Sequence, residues 1–209
     1  MLELAVSAPP RDALVRRARA LAWASLAWHL AEAVIALAAG VAAGSIALVG
    51  FGGDSIVEAG AAAIVVWRFG GERADSEQAE CRARRLVALS FLALAAYVGL
   101  EAARSLVAGD RPEASWLGVG LAAVTLAAMP PLARAKARVG AALDSGATVS
   151  EGRQNLLCAW LSAALLAGLG ANALLGVWWA DPVAALAVAG VALKEGRDAW
   201  RGEGCCAAC

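Results

Sequence analysis

Long apolar runs broken by short polar stretches set the pattern of this chain. Runs near 20–41, 45–67, 86–107, 115–133, 150–174 and 179–197 are each about long enough to cross a hydrocarbon core of about 30 Å, which takes about 20 residues of helix. The fourth is slightly short and the fifth begins among polar residues. The spacing predicts an all-α polytopic membrane protein, a six-transmembrane-helix bundle. Residues 1–19 then form a cytoplasmic N-terminal segment, 20–197 the transmembrane domain and 198–209 a short Cys-rich cytoplasmic tail.

Composition agrees with the pattern. Of 209 residues, 61% are hydrophobic and 17% charged, and the formal net charge is zero. A soluble domain of this length carries more charge and shorter apolar runs. Reading the same segments as buried soluble helices would require a much larger polar surface. The expected surroundings are a lipid bilayer, with the cytoplasmic membrane as the location, and no nucleic-acid partner is expected.

Basic residues orient the bundle. Arg11, Arg16, Arg17 and Arg19 precede the first span, and Arg68, Arg73, Arg82, Arg84 and Arg85 lie between the second and third. Arg134, Lys136 and Arg138 fall between the fourth and fifth, and Lys194, Arg197 and Arg201 follow toward the end. Near the opposite loops stand only Arg104 and Arg111, so the positive-inside rule places both termini in the cytoplasm. "MLELAVSAPPRDALVRRARA" lacks the layout of a cleavable signal and predicts a short amphipathic helix after Pro9 and Pro10. The stretches 68–85 and 134–149 leave no room for a soluble catalytic domain, so no enzymatic activity is expected.

Against this apolar background Asp54 and Glu58 stand in the middle of the second span, one helical turn apart. At bilayer depth a carboxylate costs roughly 2.5–3.5 kcal/mol or more, and like charges on one helix face repel. A bound cation, a proton or a basic side chain across the interface would offset that cost, and no Lys or Arg stands at matching depth among the expected spans. The fifth span carries Gln154 and Cys158 at the same four-residue spacing. With the second span running inward and the fifth outward, Asp54 is expected level with Cys158 and Glu58 with Gln154. Two carboxylates, a thiol and an amide from two helices can enclose a tetrahedral divalent ion such as zinc. Taken alone, a Gln and a Cys in a membrane helix are more often packing residues than ligands.

"SIALVGFGGDSIVE", residues 45–58, resembles the second helix of the cation diffusion facilitators, which carries a Ser-x-Ala-Leu start and then a metal-binding Asp or His followed by Ser-Leu-Val-Asp. "WWADPVAAL", residues 178–186, is similar to the start of that family's sixth helix. The resemblance implies that Asp54 and Glu58 occupy two ligand positions. It further implies a secondary transporter that exports a divalent metal cation by proton antiport, with zinc the first choice, no permanent cofactor and a homodimeric assembly. The family's fifth helix supplies His-x-x-x-Asp where this chain has Gln154 and Cys158, which brings a softer ion such as cadmium into consideration. Most of the family also continue into a folded cytoplasmic domain, where this chain has "GEGCCAAC". The alternative is a non-transporting membrane metal-binding protein or partner subunit that retains the fold.

Two further groups are candidates. Cys205, Cys206 and Cys209 can capture a soft metal through their thiolates, although redox pairs and palmitoylated cysteines have the same spacing. His29 and Glu32, three residues apart on the first span, form either an internal hydrogen bond or an accessory metal or proton site.

Overall fold

The computed structural model describes residues 10–43, 46–109, 116–175, 177 and 179–201, and among these every regular element is helical. The helices are α1 (Arg11–Ala43), α2 (Ile46–Arg68), α3 (Glu77–Ala108), α4 (Trp116–Ala142), α5 (Gly146–Leu175) and α6 (Ala180–Arg201). A 3-10 turn over Gly71–Asp75 joins α2 to α3. The tail cysteines Cys205, Cys206 and Cys209 lie outside the described residues.

Most of the helices run further than their apolar runs suggest, α3 starting at Glu77 where the run starts near 86. Ala13 N and Leu14 N both donate to Pro10 O, at 2.9 and 3.3 Å, and no Gly or Pro interrupts the chain from there to Gly40. The expected amphipathic helix and the first span are therefore a single helix. α4 passes through Pro130 and Pro131 without ending, a tolerance membrane helices show when neighbours and side chains compensate the lost bonds. It continues to Ala142 and α5 starts at Gly146, so the loop expected at 134–149 shrinks to three residues. The turn is closed by Ser145 N donating to Gly140 O at 2.8 Å. Lys136, expected in that loop, lies on a helix and is fully buried.

α1, α2, α4 and α5 pack around a common interior, with α1 against α2 and α4, and α5 against α4 and α2. α3 and α6 form a pair that lies against α5, with α3 also touching α2. Small residues permit the close approaches. A Cβ on Gly52 of α2 would come within 2.7 Å of Leu37 of α1, and one on Gly152 of α5 within 3.1 Å of the Ala133 carbonyl of α4.

The distribution of side chains is inverted relative to a soluble protein. Val107, Trp116 and Leu100 are 91%, 85% and 72% exposed, whereas His29, Thr125 and Lys136 are fully buried. An apolar exterior over an interior that holds polar groups among its apolar core suits hydrocarbon as the solvent. α1 to α4 each contain a stretch long and apolar enough to cross a membrane. The chain is a helical membrane protein.

Where α2 ends and α5 begins, a polar knot joins three helices. Glu80 of α3 accepts from Arg68 Nε at 2.7 Å, from Ser145 Oγ at 3.0 Å and from the backbone N–H of Ala147 at 2.8 Å. The last contact caps the first turn of α5, where backbone N–H groups have no helical acceptor.

Candidate metal centre

Four helices each bring a polar stripe to the interior at three- and four-residue intervals, the spacing that repeats on one helix face. α1 presents Ser25, His29 and Glu32; α2 presents Asp54, Ser55 and Glu58. α4 presents Thr125, Met129 and Lys136; α5 presents Glu151, Asn155, Cys158 and Ser162. All of these are buried.

His29, Glu32, Glu58 and Cys158 converge at the centre, with one ligating atom of each within 4.8 Å of the others. A zinc ion with nitrogen and sulfur ligands at about 2.0–2.3 Å would set them roughly 3.3–3.8 Å apart, so a modest contraction would bring these atoms to a tetrahedral shell. His29 Nδ1 is 3.2 Å from Glu32 Oε2 and 3.1 Å from Glu58 Oε2.

The two glutamates differ in how the protein treats them. Glu32 accepts from His29 Nδ1, from Ser55 Oγ at 3.0 Å and from Thr125 Oγ1, so α1, α2 and α4 all contribute donors. Neither oxygen of Glu58 accepts a hydrogen bond from a nitrogen or hydroxyl donor among the described residues, although His29 Nδ1 lies 3.1 Å away, and its neighbour is the weakly donating thiol of Cys158. Asp54 Oδ1 and Ser162 Oγ are likewise buried without partners. Cys158 carries an unbridged buried thiol. Buried oxygen without a donor is costly, and a carboxylate doubly so. Protons or a cation would relieve it.

Below this cluster a second polar group continues along α4 and α5. Lys136 Nζ donates to Glu151 Oε1 and, at 2.7 Å, to Asn155 Oδ1. Asn155 Nδ2 in turn reaches His29 Nε2 at 2.9 Å. A buried lysine is tolerated here because a carboxylate and an amide oxygen receive its protons.

Of the residues expected at the site, Glu58 and Cys158 meet, and Asp54 lies one turn along α2 from Glu58. The antiparallel register therefore pairs Glu58 with Cys158, in place of the expected pairing of Asp54 with Cys158. Gln154 turns toward α3, where its Oε1 lies 3.0 Å from Ser90 Oγ, and it does not join the cluster. His29 and Glu32, expected as an accessory pair or a local hydrogen bond, are at the centre. Sequence reasoning missed Ser55, Thr125, Glu151 and Asn155 as site residues, and it placed Lys136 in a loop. Their common signal was periodicity: polar residues recur on α5 as Glu151, Asn155, Cys158 and Ser162, at steps of four, three and four.

No protein-family model matches this chain, and no curated protein matches it. The likeness to the cation diffusion facilitators rests on the motif residues alone.

Proposed function

We propose that this protein is a secondary active transporter of the cation diffusion facilitator type, exporting a divalent metal cation from the cytoplasm in exchange for protons. One observation carries the reading: both oxygens of Glu58 are buried without a nitrogen or hydroxyl donor, beside the Cys158 thiol and one turn from Asp54. Glu58, Cys158 and Asp54 hold the ion, and zinc, with cadmium as the softer alternative, suits their mixture of oxygen and sulfur. Metal and protons compete for the same atoms, because a coordinating thiol or carboxylate must first lose its proton. Proton entry from outside thus displaces the ion.

In this reading six helices span the cytoplasmic membrane with both termini inside. The clusters Arg11–Arg19, Arg68–Arg85 and Lys194–Arg201 support that orientation, while buried Lys136 does not contribute to it. Two copies form the working assembly, by family resemblance. The cysteines of the tail deliver metal to the inward-open site.

The test is zinc, cadmium and manganese flux in proteoliposomes with an imposed pH gradient, comparing the parent with Asp54→Ala. Flux that depends on the gradient and falls at least about tenfold in the variant is expected, in line with the loss of one ligand. Parental flux in Asp54→Ala would remove that residue from the site. Metal binding without flux in the parent would establish a non-transporting metal binder instead.

A further inference from the structure

His29 is the chain's single histidine, and both ring nitrogens are buried against groups whose donor and acceptor roles are set by their own chemistry. Nδ1 faces Glu32 Oε2 at 3.2 Å and Glu58 Oε2 at 3.1 Å, while Nε2 faces Asn155 Nδ2 at 2.9 Å. The orientation of the Asn155 amide decides what Nε2 can be.

That orientation follows from the amide's other end. Lys136, paired with Glu151, offers only donors, so the Asn155 atom 2.7 Å from its Nζ must be the oxygen. The NH2 group on the far side then meets Ser25 Oγ at 3.3 Å and Met129 Sδ at 3.5 Å, both able to accept. An amide NH2 donates and never accepts. His29 Nε2 is therefore the bare nitrogen, and the ring proton sits on Nδ1, where Glu32 Oε2 accepts it.

We propose that Asn155, oriented by the Lys136–Glu151 pair, is a positioning residue that locks His29 in the Nδ1–H tautomer, so that His29 donates to Glu32 and is not a ligand of the ion. A cation at Nδ1 needs that nitrogen's lone pair, which sends the ring proton to Nε2. There it meets the NH2 of Asn155 head on. Asn155 can turn away only by aiming its NH2 at the Lys136 ammonium. Every contact from Glu151 to Glu32 thus has one consistent direction, and reversing His29 breaks at least two of them. Of the converging groups, Glu32 already accepts from three donors, which leaves the ion Glu58 and the sulfur of Cys158, with Asp54 one turn along α2 from Glu58. The tautomer stands on the hydrogen-bond geometry alone; the exclusion of His29 from the ligand set rests on the metal reading above.

A single histidine makes the tautomer directly measurable. The full chain, labelled with 13C and 15N in histidine and reconstituted in lipid bilayers, is examined by NMR without metal and with added zinc. One imidazole is expected, protonated at Nδ1 and bare at Nε2, and unchanged in tautomer when zinc binds. A proton found on Nε2, or on both nitrogens, in the metal-free parent would overturn the lock. Loss of the Nδ1 proton on zinc addition would overturn the exclusion of His29 as a ligand.

Asn155→Asp supplies the complementary variant, because its carboxylate still accepts from Lys136 but now also accepts from the ring. The proton is expected to move to Nε2, and added zinc is then expected to shift the freed Nδ1. An unchanged Nδ1–H tautomer in this variant would remove Asn155 from its positioning role. Metal analysis of the parent separates the two layers. An absence of bound zinc together with the expected metal-free tautomer would overturn the metal reading and support the lock.

Discussion

Glu80 and Glu58 both lie at helix contacts, Glu80 partly and Glu58 fully buried, and the protein surrounds them in opposite ways. Around Glu80, where α2, α3 and α5 meet, a guanidinium, a hydroxyl and a backbone N–H fill the carboxylate's acceptor sites. At the centre of the four-helix group Glu58 is fully buried, and no nitrogen or hydroxyl donor bonds to it among the described residues. A carboxylate whose donors all come from the chain is a fastener. One left without them is open to a proton or a cation, and Glu32, with three donors a few ångströms away, shows that the chain can supply donors at this depth.

The contrast predicts opposite outcomes for activity and stability. Glu58→Gln should give the largest functional effect, lowering zinc flux in proteoliposomes by about 10–100-fold while the thermal midpoint in detergent stays level or rises. Parental flux in that variant would break the comparison at its functional end. Glu80→Ala should do the reverse. It leaves Arg68 without its partner and uncaps α5, at a cost of about 2–4 kcal/mol read as a lower denaturation midpoint, while zinc bound per folded molecule stays at the parental level. An unchanged midpoint would show that the knot fastens nothing. The smallest effect belongs to Arg153→Ala, which removes the ion pair to Glu195 at 2.8 Å on the exterior, where the arginine side chain is 54% exposed. There solvent and salt screen the charges, and a stability change of about 0–1 kcal/mol is expected by the same denaturation measurement, largest at low ionic strength.

The extent of sequence legibility varied with the kind of information needed. Six apolar runs became six helices, because run length and hydropathy are local properties. Helix ends were less legible. Arg11 to Arg19 and Arg134 to Ala142 are polar or mixed yet continue their helices, since no breaker stops them and three residues sufficed for the turn at Leu143–Ser145. Asp54 and Glu58 could be singled out because a charge in an apolar run is conspicuous without any neighbour. Asn155 could not, because its importance lies in joining Lys136 to His29 across three helices.

By itself, then, the sequence determined an all-helical membrane protein with carboxylates in its interior, through periodicity, run length and the cost of charge in hydrocarbon. Tertiary structure decided which polar stripes face one another. It set Glu58 rather than Asp54 beside Cys158, turned Gln154 toward Ser90, and drew Lys136 inward to Glu151 and Asn155. The register between antiparallel helices follows from the packing of small residues such as Gly52 and Gly152 against their neighbours, and a shift of one turn exchanges every polar partner. That register is a property of surfaces in contact, so it is absent from any single segment of the chain.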